Sequence, residues 1–93
     1  MLLIGHTLPE DMPLCLPGHE PRLVEARGRP AGAAIAFRAS TWWHVECHRC
    51  GTATVPCASR ALAESRWRDE HTQHRIPITS IAQQRLSAMQ RAA

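Results

Sequence analysis

Three short runs of strand-forming residues mark the first two thirds of the chain. They cover residues 21–26, 41–46 and 52–55, and Pro56 closes the third run. Between the first two runs, residues 27–40 are small and contain glycine, which predicts a loop or a long hairpin arm. The pattern therefore predicts three short strands, two of them separated by a long connection.

A helix is predicted after the third strand. Helix-forming residues dominate from residue 60 to about residue 73, and Ser59 stands at the position of an N-cap. Leu62 and Trp67 lie on broadly one side of this helix, so we expect both to anchor it against the strands. Pro77 then interrupts the helical pattern.

A second helix is predicted to begin near Ser80, where Gln83 completes a capping box. Its apolar face consists of Ile81, Ala82, Leu86 and Met89. This face either packs on the rest of the domain or offers a surface for docking or for a homodimer. The chain is thus predicted to have an α+β fold, with an irregular segment over 1–12, a domain over 13–76 and a helical extension over 77–93.

Candidate metal chemistry begins with the run Cys47-His48-Arg49-Cys50-Gly51. Two cysteines separated by two residues make a turn that points both sulfur atoms at one point, and Gly51 can adopt the positive φ that the exit from such a turn requires. Cys47 and Cys50 are therefore predicted to supply half of a zinc site. The alternative is a pair of reduced structural cysteines beside a turn.

Cys15 and His19 are the first candidates for the other half of the site. Pro17 and Gly18 form a turn between them, and a strand follows, as it does after the second cysteine pair. Two ligand-bearing turns, each followed by a strand, are the layout of a zinc ribbon. The predicted ligands of the zinc ion are Cys15, His19, Cys47 and Cys50.

Alternatives to the first pair remain open. His71 and His74 are three residues apart near the end of the first predicted helix, and successive helical turns would bring them onto one face. His71 would lie about 18 Å from the start of that helix, far from a turn near its entrance. Cys57 is close in sequence to the cysteine pair, although its ordinary role is that of a small buried residue. His44 and His48 are expected to face solvent.

Composition and charge limit the functional classes. The chain has 93 residues, four cysteines and a formal net charge of +3, and it contains no lysine. This small number of cysteines is consistent with a metal-binding protein in a reducing compartment. No apolar stretch approaches the length of a membrane span. We therefore expect a cytoplasmic protein without a signal peptide. The surplus of positive charge lies in residues 57–93, where six arginines outnumber three acids.

Two stretches of the chain match the pattern of a known family. Residues 42–51 read Trp-Trp-His-Val-Glu-Cys-His-Arg-Cys-Gly, a strand that enters a cysteine knuckle. Residues 63–67 begin with alanine and end with tryptophan, and Arg68 follows them. In these features the chain resembles the phage and prophage restriction alleviation (Lar-like) zinc ribbons, although that family usually has asparagine at the position of Arg68. The resemblance spans about residues 13–69.

The first knuckle departs from the pattern of that family. Cys15 matches it, Gly18 stands where a second cysteine is usual, and His19 follows. The resemblance therefore implies a Cys3His zinc site, with His19 replacing the missing cysteine after one extra residue in the turn. It also implies a small phage-derived protein that modulates a host restriction or other defence system.

These observations favour a non-catalytic adaptor that binds a host protein, because four protein ligands leave a zinc ion no open position for chemistry. The alternative is a ribbon that binds nucleic acid or is associated with transcription. Its candidate contacts are Arg60, Arg66, Arg68, Arg75, Trp42 and Trp43. Since the surplus of charge is small, we expect such binding to be weak and salt-sensitive.

Overall fold

The computed structural model describes residues 2–13, 15–28, 40–69 and 73–92, and for residues 40 and 88–92 it describes the backbone alone. The fold is α+β, as predicted: a five-stranded antiparallel sheet with two helices. The strands are β1 (Leu2–His6), β2 (Arg22–Gly28), β3 (Ser40–Cys47), β4 (Thr52–Thr54) and β5 (Arg75–Pro77). The helices are α1 (Arg60–Arg68) and α2 (Ile81–Ala92). Most of the predicted loop over 27–40 lies outside the described residues.

The sheet is a meander in which each strand pairs with its neighbours in the sequence, in the order β1-β2-β3-β4-β5. β2 and β3 form the longest pair, and their register places Arg22 opposite Glu46. β3 and β4 are joined by a tight turn, because Cys47 pairs with Thr52. This turn carries the second predicted cysteine pair.

Two predictions about secondary structure are wrong: the irregular N-terminal segment and the end of the first helix. Both errors arise because distant segments pair as strands. The irregular structure predicted for 1–12 does not hold for Leu2–His6, which is an edge strand hydrogen-bonded to β2. The first helix ends at Arg68 rather than near residue 73, since Asp69 has an extended backbone with φ −62° and ψ 115°. The chain then returns to the sheet as β5.

One face of the sheet packs against α1 and forms the hydrophobic core. The buried residues of this core are Met12, Leu23, Val45, Cys47, Cys57, Ala63 and Trp67. Trp67 is 1% exposed, which confirms its predicted role in anchoring the helix. The predicted packing of Leu62 is wrong, because its side chain is 43% exposed. Ala63 faces the sheet instead, since it lies one helical turn before Trp67 on the same side of α1.

The start of α1 was predicted correctly. The Ser59 hydroxyl oxygen accepts a hydrogen bond from the N–H of Leu62 at 3.2 Å, which satisfies one of the free donors of the first turn.

The opposite face of the sheet carries a buried network of charged and polar side chains. His44, Glu46 and Arg85 of α2 are 1%, 7% and 6% exposed. His44 Nε2 lies 3.0 Å from Glu46 Oε1, and His44 Nδ1 lies 3.2 Å from Arg85 Nη2. The prediction that His44 faces solvent is therefore wrong, because Arg85 covers its ring. His48 is exposed, as predicted.

This geometry assigns one tautomer to His44. A guanidinium group can only donate, so Nδ1 accepts from Arg85 and Nε2–H donates to the Glu46 carboxylate. His44 thus connects the Glu46 carboxylate to the Arg85 guanidinium. Because Arg85 belongs to α2, the network fastens that helix to the sheet.

The predicted apolar face of α2 is only partly available to a partner. Ile81 is 7% exposed and therefore belongs to the packed interior. Leu86 is half-buried and Ala82 is exposed, whereas the side chain of Met89 lies outside the described residues.

Replacing Trp67 by alanine should lower the free energy of unfolding by about 3–5 kcal/mol, because the cavity left by a buried indole cannot close. Urea denaturation in the presence of excess zinc measures this change. Leu62→Ala on the same helix is the matched control and should change stability by about 0.5 kcal/mol or less. Equal effects of the two substitutions would contradict the assigned packing of α1.

Arg85→Ala should lower the free energy of unfolding by about 1–3 kcal/mol, since it leaves the buried Nδ1 of His44 without its hydrogen-bond donor. Amide hydrogen exchange should also become faster in α2. Gln83→Ala, at an exposed position of the same helix, controls for helix propensity. If Arg85→Ala behaves like Gln83→Ala in both measurements, the network does not hold the helix.

Candidate metal centre

The second cysteine pair lies in the turn between β3 and β4. Cys47 is the last residue of β3, and Gly51 follows Cys50 with φ 68°. The Gly51 N–H donates to the carbonyl oxygen of Cys47 at 2.9 Å and closes the turn. Residue 51 therefore occupies the left-handed region that favours glycine, as the sequence predicted.

The first pair lies in the long connection between β1 and β2. Gly18 has φ 84°, and the N–H of His19 donates to the carbonyl oxygen of Leu16 at 3.1 Å. This turn brings Cys15 Sγ and His19 Nδ1 within 3.3 Å of each other. The turn leads into β2, which begins at Arg22, so both turns adjoin strands of the same sheet.

The structure brings the side chains of all four predicted ligands together. Their donor atoms lie within 4.8 Å of one another. His19 Nδ1 is 3.1 Å from Cys50 Sγ and 3.5 Å from Cys47 Sγ. The sulfur atoms of Cys15 and Cys47 are 3.3 Å apart. Nδ1 is therefore the imidazole nitrogen that faces the three sulfur atoms.

The donor set fits a tetrahedral metal ion. Zinc takes cysteine sulfur at about 2.3 Å and histidine nitrogen at about 2.0–2.1 Å, so neighbouring donors of a tetrahedron lie roughly 3.5–3.8 Å apart. The shortest separations here are 3.1–3.3 Å, so a small outward shift of the side chains makes room for an ion. Three thiolates are soft ligands and imidazole is a borderline one, and this set favours zinc over magnesium or calcium. The cluster can therefore hold one metal ion.

The convergence of three thiols shifts the pKa values of Cys47 and Cys50 in opposite directions. The hydrogen bond with Cys15, together with burial, raises the pKa of the Cys50 thiol to about 12. Burial also acts to raise the pKa of Cys47, but hydrogen bonds from the backbone N–H groups of Cys50 and Arg49 and from neighbouring thiols lower it overall. Cys47 thus loses its proton more readily than Cys50, and Cys50 loses its own readily only when a cation offsets the accumulated negative charge.

Two hydrogen bonds outside the cluster hold the ligand-bearing turns in place. Arg49 Nη1 of the second turn donates to the carbonyl oxygen of Gly18 in the first turn at 3.2 Å. Trp67 Nε1 donates to the carbonyl oxygen of Pro13 at 2.8 Å, which ties the approach to Cys15 to α1. Sequence reasoning missed both contacts, because each joins residues more than 30 positions apart.

Cys57 lies outside the cluster. Its sulfur atom is 3.3 Å from the carbonyl oxygen of Ser59 and 3.6 Å from that of Trp43. Burial raises the pKa of this thiol. Cys57 therefore has the environment of an unreactive structural cysteine rather than of a metal ligand.

Of the alternative histidine pair, the structure describes His74 alone. α1 ends at Arg68, so His74 does not belong to it. His74 lies just before β5, where its carbonyl oxygen accepts a hydrogen bond from the N–H of Val55 at 2.8 Å. His71 lies outside the described residues. Among the residues that the structure describes, the cluster of potential metal ligands contains neither His74 nor Cys57.

Arg75 was a candidate contact for nucleic acid, and the structure places it close to the core instead. It belongs to β5, and its guanidinium carbon lies 3.7 Å from the centroid of the Trp67 ring. Its Nη2 donates to the carbonyl oxygen of Trp67 at 2.9 Å. No local sequence signal distinguishes this arginine from those on the surface, because its position depends on the pairing of β4 with β5.

Comparison of the chain with protein-family models, with curated proteins and with solved structures found no match. The class of the protein therefore rests on its fold and its site, an α+β domain whose Cys3His cluster is consistent with a small zinc-binding domain. Across the described parts of the chain, none of the helices has the length and apolar character needed to span a membrane.

The double variant His71→Ala/His74→Ala should bind as much zinc as the unmodified chain, because His74 is not among the converging donors. Metal analysis of the purified proteins measures the zinc content directly. Cys47→Ser is the matched control and should lose most of the metal. Loss of zinc in the double histidine variant would show that the zinc ligands include His71 or His74, which contradicts the assigned ligand set.

Zinc affinity should fall as the pH is lowered, because each thiol must lose its proton to bind the metal. The apparent affinity should drop roughly tenfold per pH unit for each proton displaced. Competition with a colorimetric chelator across the neutral range measures this slope. An affinity that does not change with pH would contradict thiolate ligation.

Proposed function

We propose that the protein is a zinc-binding adaptor with no catalytic activity of its own. The observation that carries this proposal is the convergence of four donor atoms within 4.8 Å, which supplies every position of a tetrahedral zinc ion. A catalytic zinc site keeps one position for water or substrate. Zinc bound by Cys15, His19, Cys47 and Cys50 would instead fasten two turns together and stabilise the fold.

The arginine side chains support a protein partner in preference to nucleic acid. Eight arginines with described side chains each contact another part of the chain: Arg22, Arg27, Arg49, Arg60, Arg66, Arg68, Arg75 and Arg85. Of these, four pair with carboxylates, which reduces the local positive potential. Nucleic-acid binding depends on guanidinium groups that reach phosphates, so these internal contacts weaken that alternative.

The resemblance over about residues 13–69 to the restriction alleviation zinc ribbons supplies the biological setting of the proposal. In that setting the protein is phage-derived and cytoplasmic, and it modulates a host restriction or other defence system by binding one of its proteins. The second turn and the end of α1 carry this resemblance, and both adjoin the proposed zinc site.

The partner surface on α2 is narrower than its apolar pattern suggested. Ile81 is buried, so a host protein or a second copy of the chain would contact the outer side of the helix, around Ala82 and Leu86. Removing α2 would also uncover His44 and Glu46. Single substitutions on the outer side are therefore a sharper test than truncation.

Affinity capture from a bacterial lysate, with the zinc-loaded full chain as bait, tests the proposal. We expect a specific protein partner whose recovery falls at least tenfold with Ala82→Arg and is unchanged with Leu62→Arg, an equally drastic substitution on the exposed side of α1. Fluorescence anisotropy with duplex DNA in about 0.2 M salt tests the alternative. Tight DNA binding under those conditions without a protein partner would contradict the adaptor function and favour the nucleic-acid-binding alternative.

A further inference from the structure

β5 places Arg75 against the hydrophobic core on which three of the candidate metal ligands also pack. The N–H of Ile78, just after β5, donates to the carbonyl oxygen of Gly51 at 2.8 Å, which holds this segment against the second ligand-bearing turn. The Arg75 guanidinium lies on the Trp67 ring, and that ring packs in the core that includes Cys47. Cys15 and Cys50 pack against the same core.

The environment of Arg75 is costly for a cation. The residue is half-buried, and its Nε is shielded from solvent without a hydrogen-bond partner among the described residues. Burial lowers the pKa of the guanidinium, whereas negative charge on Cys15, Cys50 and Asp69 acts in the opposite direction. A buried donor without a partner and a desolvated cation both cost free energy, so a compensating negative charge is expected nearby.

A Cys3His zinc site would add to the negative charge that Asp69 already supplies. Three thiolates and a neutral imidazole around a divalent ion leave one surplus negative charge, in a site that is itself half-buried. A low local dielectric strengthens the attraction between this centre and a nearby guanidinium. The loaded site would thus stabilise the charge of Arg75, and Arg75 would stabilise the charge of the loaded site.

We propose that Arg75 is a positioning residue for the metal centre, one whose charge stabilises the metal-loaded Cys3His site and restrains the reactivity of its thiolates. This inference rests on the proposed zinc-binding function. It predicts that the charge of Arg75, rather than its packing on Trp67, determines how tightly the site holds zinc.

Two substitutions separate charge from packing. Arg75→Met keeps an unbranched apolar side chain on the Trp67 ring and removes the charge, whereas Arg75→Lys keeps the charge. Arg68→Met is the matched control, because Arg68 is an exposed arginine that pairs with Asp11. The probes are zinc alone, in competition with a colorimetric chelator, and cobalt(II), whose sulfur-to-metal charge-transfer bands report on the thiolates.

Arg75→Met should weaken zinc binding about 10–100-fold, while Arg75→Lys and Arg68→Met stay within about threefold of the unmodified chain. The cobalt charge-transfer bands should shift in Arg75→Met alone, and alkylation of the zinc-loaded thiols by N-ethylmaleimide should become faster. An Arg75→Met variant that fails to fold in excess zinc, beside an Arg75→Lys variant with normal affinity, also supports the proposal.

The inference is overturned if Arg75→Met binds zinc like the unmodified chain, or if Arg75→Lys is impaired as strongly as Arg75→Met. The second result would show that the guanidinium matters through its stacking on Trp67. These outcomes differ from a failure of the proposed function, in which the unmodified chain itself would not bind zinc.

Discussion

The antiparallel register of β2 and β3 is the constraint on which the rest of the structure depends. Arg22, at the start of β2, pairs with Glu46, the residue before Cys47. The turn that precedes β2 and the turn that follows β3 therefore meet at one end of the sheet, and their four donor atoms converge there. A slip of one residue would turn Cys47 to the opposite face of the sheet and separate the two pairs.

Both faces of the sheet contribute to holding this arrangement. On one face, Trp67 joins α1 to the strands and fixes the first turn through its hydrogen bond to Pro13. On the other face, Glu46 accepts from His44 and also pairs with His48, which lies inside the second turn. The residue before Cys47 thus connects the metal-binding turn to α2. Because so small a domain buries little apolar surface, its stability depends on both the bound metal and these few buried contacts.

The parts of the site that could be predicted from sequence are those set by local geometry. The spacing of Cys47 and Cys50, the glycine after them and the turn between Cys15 and His19 are all readable within five residues. The burial of His44 and the position of Arg75 were not predictable in this way, because each depends on a partner more than twenty positions away or on pairing at the edge of the sheet. β1 escaped prediction for the same reason: its five residues become a strand only beside β2.

The most direct test of this account is the zinc content of the purified chain, measured together with its folding. The account predicts one equivalent of zinc in the unmodified chain, a large loss of metal in Cys15→Ser, and unfolding when a strong chelator removes the ion, because metal binding and folding form one equilibrium in a domain with so small a core. A chain that stays folded with less than about half an equivalent of zinc would contradict it, since the two turns would then converge without a metal to hold them.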